Sequence, residues 1–191
     1  MERLTVVRPQ AGAGMEWLKQ GWQLFKRWPI PWMGMTAAAF LAIFAISMVP
    51  VAGRWAVELL SPLLVAGYMF AAQAAERGEP VTFFYLGAGA RRHARPLLTL
   101  GAVYLVVGLL IGQIMQMLGG NSLQDLVQMA QNPTAQSPEA YRAMLDQSLS
   151  AVLVGLLLYT PLLMATWFSP ALVIFKGFSP ANALWWSLWT C

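Results

Sequence analysis

Residues 96–118 read PLLTLGAVYLVVGLLIGQIMQML, a run without a single charged side chain. A bilayer core of about 30 Å is crossed by about 20 apolar residues in helix, so this run can span it outright. Directly before it stand Arg91, Arg92, His93 and Arg95. A charge-free run abutting a basic cluster is the pattern of a membrane helix rooted at a cationic face.

The same pattern recurs outward along the chain. Charged residues are missing from Trp28 to Gly53, from Leu59 to Ala75 and from Gln147 to Phe175. The window Leu59–Ala75 is short and reaches a full span by including Trp55–Val57. These windows predict an all-α transmembrane fold with membrane helices at about 32–51, 55–76, 96–118 and 149–174. Composition agrees: 58% of the 191 residues are hydrophobic and 10% charged, whereas a soluble domain carries about 25% charged residues. There is too little polar surface here to cover a globule. Nine Trp and nine Phe suit the two membrane–water interfaces, where amphipathic rings collect.

The basic residues set the expected orientation. Arg3, Arg8, Lys19, Lys26 and Arg27 precede the first span; Arg77, Arg91, Arg92 and Arg95 separate the second from the third; Lys176 follows the fourth. Only Arg54 and Arg142 fall on the other side. Ten of the twelve Lys and Arg residues therefore lie inside if the N-terminus is cytoplasmic, as the positive-inside rule requires. Met1–Gly14 has no apolar region of the kind a cleavable signal needs, so the first span is expected to act as an uncleaved anchor. The formal charge of +4 and pI near 9.6 do not point to nucleic acid, because the basic residues hug membrane boundaries. Anionic lipid headgroups are the expected partners.

Segments between the spans read as interfacial. Met15–Trp28 carries Trp17, Leu18, Trp22, Leu24, Phe25 and Trp28 mostly on one side, with Glu16, Lys19, Gln23, Lys26 and Arg27 mostly on the other, the pattern of a helix lying among headgroups. Pro29 and Pro31 end it. Val81–Arg95 starts with Phe83, Phe84 and Tyr85 and ends in the basic cluster. Ser179–Cys191 opens on Ser179-Pro180, a helix start, and resembles the first, aligning Leu184 with Leu18 and Ser187 with Gly21.

The spans also show internal similarity. Ser61-Pro62-Leu63-Leu64-Val65-Ala66 matches Thr160-Pro161-Leu162-Leu163-Met164-Ala165, and the same offset pairs Arg77-Gly78 with Lys176-Gly177. Within a single membrane domain, 1–191, the expected units are 15–76 (an interfacial helix plus a hairpin), 80–176 with an extracytoplasmic loop at 119–147, and 179–191 as the start of a third. That architecture predicts six spans, with the chain continuing past Cys191. In the loop, Ser122–Gln131 reads as a short amphipathic helix and Asn132–Gln136 as a turn. Ser137-Pro138-Glu139 reads as the start of a helix that runs into span four.

Gly21-Trp22-Gln23-Leu24-Phe25, Ser61-Pro62-Leu63-Leu64-Val65-Ala66-Gly67-Tyr68-Met69, Glu76-Arg77-Gly78-Glu79-Pro80 and Trp167-Phe168-Ser169-Pro170-Ala171-Leu172-Val173 resemble the recurring blocks of an uncharacterised proteobacterial family. Its members are conserved hypothetical multi-pass inner-membrane proteins, commonest in betaproteobacteria. The resemblance implies six helices and an inner-membrane location, and brings no activity, substrate or catalytic residue. More distantly, the layout is similar to membrane domains attached to some glycerophosphodiester phosphodiesterases.

Chemistry-bearing constellations are sparse. One His and one Cys cannot by themselves build a zinc or haem site, and Gly87-Ala88-Gly89 lacks the setting of a phosphate loop. No catalytic residue, cofactor or metal is expected. Glu58 follows Arg54 by one helical turn and is expected to pair with it. His93, beside three arginines, reads as a solvated interfacial residue.

Pro62 and Pro161 each free a carbonyl within a span. With Ser61, Tyr68, Thr160 and Trp167 around them they are the candidates for an internal cleft, or for kinks that shape packing. Lys26, Arg27, Arg91, Arg92 and Arg95 are the candidates for lipid headgroup contacts. The leading reading is a non-enzymatic membrane protein that organises lipid or protein partners, a second copy included. The alternative is a small-molecule or lipid transporter with its path between the repeat units.

Overall fold

The computed structural model describes residues 12–50, 52–119 and 138–191. All regular structure among them is helical: α1 (Ala13–Arg27), α2 (Pro29–Ser47), α3 (Ala52–Glu76), a 3-10 turn (Phe83–Gly87), α4 (Ala88–Gly119), α5 (Pro138–Trp167), α6 (Ser169–Lys176) and α7 (Pro180–Thr190). The proposed loop helix at 122–131 and turn at 132–136 lie outside the described residues.

Local chemistry sets the boundaries. Glu16 in the first turn of α1, and Lys26 and Arg27 in the last, oppose the partial charges of the helix ends. Trp28 leaves helical geometry and Pro29 opens α2, where a missing N–H costs nothing. Inside α3, Pro62 cannot bond the carbonyl of Glu58. The Ser61 hydroxyl donates to that oxygen instead, at 3.0 Å, and the helix continues. In α4 the non-helical residue is His93 (φ −137°, ψ 36°). Pro96 collides with the carbonyl four residues back and disfavours α geometry at Arg95, so the basic segment bends away from the span that follows.

The central pair is α3 and α4. A Cβ on Gly101 would collide with the Leu59 carbonyl, so the two backbones touch there, as small residues allow in membranes. Leu63, Ala66 and Phe70 of α3 pack with Leu97, Leu100 and Tyr104 of α4, Val173 and Ile174 of α6, and Ala183 of α7. A second cluster joins Met35 of α2 to Ala71, Ala75 and Val81. The flanking helices turn large apolar side chains outward, Phe40, Leu41 and Phe44 from α2 and Leu153, Leu156 and Leu157 from α5.

Successive spans run antiparallel, so the start of α2, the end of α3, the start of α4 and the end of α6 share one end of the bundle. Lys26, Arg27, Arg77, Arg91, Arg92, Arg95 and Lys176 gather there, with Arg54 and Arg142 at the other end. Two expectations need adjusting. The fourth span is not one helix over 149–174: α5 runs unbroken from Pro138 to Trp167, stops at Phe168 (φ −101°, ψ −8°), and α6 takes over. Arg54 does not pair with Glu58; its guanidinium lies over the Trp55 ring, 5.6 Å from the centroid.

Candidate functional site

The break at Phe168 organises a concave region of the described structure. Pro170 has no N–H, so the Thr166 carbonyl loses its helical partner. Two hydroxyls serve it instead: Tyr104 from α4, 3.3 Å away, and Ser169 at 3.1 Å, themselves 2.6 Å apart. In an unbroken helix the Phe168 N–H would bond the Met164 carbonyl. Here the Ser187 hydroxyl of α7 is inserted between them, accepting from Phe168 N at 3.0 Å and donating to Met164 O at 2.7 Å. Ser169 and Ser187 are fully buried. A buried backbone group left unpaired costs about 1–3 kcal/mol, which is why the break occurs where hydroxyls from three helices converge.

Beside the break lies a partly open cleft of about 460 Å³. Ser61, Pro62, Val65 and Met69 line it from one face of α3, Tyr104 from α4, and Thr166, Trp167 and Pro170 from either side of the break. Its hydroxyls are already engaged. Ser61 bonds Glu58 O, Thr166 Oγ1 bonds Leu163 O at 3.1 Å, and Tyr104 is held at the break. What the cleft offers a guest is therefore mostly carbon.

Of the sequence candidates for a cleft, Ser61, Pro62 and Trp167 line it, and Tyr68, Thr160 and Pro161 do not. Tyr68 faces α2, its hydroxyl donating to Thr36 Oγ1 at 3.4 Å. Thr160 and Pro161 are exposed, with Thr160 Oγ1 bonded to Leu156 O at 2.7 Å. The cause is topological. α5 packs on α4 and α7, and it is α6, beyond the break, that packs on α3. Pro170 rather than Pro161 thus lines the cleft with Pro62. Tyr104, Ser169 and Ser187 also build the site and are not among the sequence candidates. A usable signal was present, since Phe-Ser-Pro occurs at 168–170 and again at 178–180, where it opens α7.

The headgroup candidates surround the basic end. Lys26 Nζ lies 5.5 Å from the Trp22 centroid, Arg27 donates to the Ala75 carbonyl at 3.5 Å, and Arg91 donates to the Phe84 carbonyl. Arg92 lies over Phe70, 5.3 Å from its centroid, and Arg95 is exposed. Rings and carbonyls orient these groups without neutralising them. His93 is not freely solvated: it stacks on Phe70 at 6.1 Å, and its Nδ1 is buried without a partner.

Four helical stretches of the described residues, Pro29–Ser47, Ala52–Glu76, Phe83–Leu118 and Val152–Lys176, are long and apolar enough to cross a membrane. That fold defines a helical multi-pass membrane protein. Over 201 aligned residues, the chain is 27% identical to a Burkholderia thailandensis protein named "Probable inner membrane protein", covering 98% of this chain and 70% of that relative. No family model and no solved structure matches the chain. The chain is an inner-membrane protein with several apolar helices, in line with the uncharacterised family its sequence blocks resemble.

Proposed function

We propose that the chain is a non-enzymatic organiser of the inner membrane, with its N-terminus in the cytoplasm, gathering anionic lipids and membrane-protein partners at its basic end. The observation that carries this reading is α1. It buries no residue, and Trp17, Leu18 and Trp22 are 61%, 70% and 57% exposed. An apolar face left open beside basic groups that rest on rings and carbonyls suits the headgroup region of an anionic leaflet.

The test places the full chain in bilayer discs of phosphatidylcholine, with and without phosphatidylglycerol. Exchange of the α1 backbone amides should slow when the anionic lipid is present, and a Trp17→Ser/Trp22→Ser variant should lose the effect. Equal exchange in both lipids would rule out the reading. A reporter fused before Ala13 should respond from the cytoplasmic side, and an external signal would reverse the proposed orientation.

The cleft between α3 and the α5–α6 break favours a second reading, transport of a small molecule or lipid between the hairpins. A hydrated path predicts that cysteines at Ser61 and Thr166, in a Cys191→Ser background, react with a membrane-impermeant thiol reagent. Inertness from both sides removes an aqueous route.

A further inference from the structure

We propose that the cleft holds one acyl chain of an anionic phospholipid whose headgroup is bound at Arg92, an inference that deepens the lipid-organising reading and assigns it a specific intramembrane site. Met69, Val65 and Pro62 lie at helical spacing along one face of α3 and form a track through the cleft. Phe70, the next residue after Met69, carries Arg92 on its ring at 5.3 Å. Phe175 meets the same Phe70 ring edge-on at 6.1 Å, and exposed Lys176 follows it in sequence. The basic groups therefore stand at the end of the track nearer the charged face of the bundle.

The chemistry at each level fits one part of such a lipid. Arg92 sits on an aromatic face rather than on a carboxylate, which leaves its N–H groups able to take phosphate oxygens in the paired geometry guanidinium favours. Below it, the hydroxyls that could solvate a polar guest are bonded to Glu58, Leu163 and Thr166 carbonyls. A hydrated solute would enter without partners for its polar groups, which is costly. A hydrocarbon chain needs none. Val65 and Trp167 are exposed at the cleft, so it opens where lipid chains lie. Its volume of about 460 Å³ falls within the range of about 300–1,000 Å³ typical of small-ligand pockets.

The experiment uses the full chain in discs of phosphatidylcholine and phosphatidylglycerol whose acyl chains bear a photoactivatable diazirine. Crosslinks from the phosphatidylglycerol chain should concentrate on peptides carrying residues 61–69 and 166–170. An even spread over the outward faces of α2 and α5, with no enrichment there, overturns the proposal. Met69→Trp, which fills the track, should abolish the enrichment, and persistence of the crosslinks in a folded Met69→Trp chain overturns it equally. Arg92→Gln should lower the preference for phosphatidylglycerol over phosphatidylcholine by about fivefold, or ~1 kcal/mol. An unchanged preference overturns the headgroup assignment. Labelling of a cysteine at Ser61 by the impermeant reagent would assign the cleft to an aqueous solute instead. The Trp17→Ser/Trp22→Ser chain should keep the crosslinks, so failure of the α1 reading and failure of this one are separable.

Discussion

Helices α3 and α5 are the second members of their hairpins, and each meets the segment that follows it in a different way. On α3, the 3-10 turn at 83–87 lies against an unbroken helix. The approach is backbone to backbone at Gly67, where a Cβ would stand 2.8 Å from the carbonyl oxygens of Tyr85 and Leu86. On the fourth span, formed by α5 and α6, the segment that follows is α7, and the contact is a hydroxyl set into a gap in the ladder at Met164 and Phe168. Under the offset that pairs the Ser-Pro and Thr-Pro motifs, Gly67 corresponds to Thr166. Where glycine lets a neighbour come close, the helix stays whole; where a larger residue stands, the helix opens and a serine closes it. Close packing of a returning segment onto a membrane helix can thus be reached by removing a side chain or by interrupting the backbone.

Three substitutions would break or sharpen that contrast. The largest effect is expected from Gly67→Leu, which drives a side chain into the 83–87 turn. It should destabilise the protein by about 3 kcal/mol, the upper range for overpacking, as read by unfolding in mixed detergent micelles. Gly21, with nothing within 4 Å of a built Cβ, is the control, and Gly21→Leu should cost nothing, gaining up to about 0.8 kcal/mol of helix propensity. Equal costs at the two sites would show that Gly67 is not a contact at all.

Ser187→Ala comes next. It leaves the part-buried Phe168 N–H without its acceptor and the Met164 carbonyl with only the Cys191 thiol at 3.5 Å, a loss of about 1–3 kcal/mol, and the Phe168 amide should exchange faster. If that amide stays protected, α5 has closed its own ladder and the bridge is dispensable. The smallest effect belongs to Ser61→Ala. Its bond to the Glu58 carbonyl is exposed, so the cost should stay under about 1 kcal/mol. A cost matching that of Ser187→Ala would erase the distinction between a continuous and an interrupted span.

The number and placement of the spans were legible because charge is excluded from the bilayer core, and the gaps between charged residues measure that exclusion directly. The same signal is blind to backbone geometry. The window from Gln147 to Phe175 contains the break at Phe168 and no charge marks it. Ser179-Pro180 reads as a helix start, and Ser169-Pro170 carries the same dipeptide, but inside an apolar run it reads as part of a span. The candidate cleft was half legible for the same reason. Pairing Pro62 with Pro161 assumed straight, equivalent helices, whereas the break carries α6 onto α3 and brings Pro170 there. Arg54 departed from its expected partner because the Trp55 ring beside it competes for the guanidinium, and spacing alone does not weigh that competition.

The Ser187 bridge also imposes an order in time. Met164 and Phe168 lie within the fourth span, whereas Ser187 reaches them only when α7 packs against that span, and a backbone pair left open in hydrocarbon would cost several kcal/mol. The fourth span should therefore insert with Phe168 bonded directly to Met164, as a straighter helix, and acquire its bend only when α7 arrives. Distances between spin labels at Leu156 and Phe175 should shorten between purified chains truncated after Gly177 and chains extended to Cys191. An unchanged distance would mean that the bend precedes the bridge and that Ser187 merely occupies a gap already made.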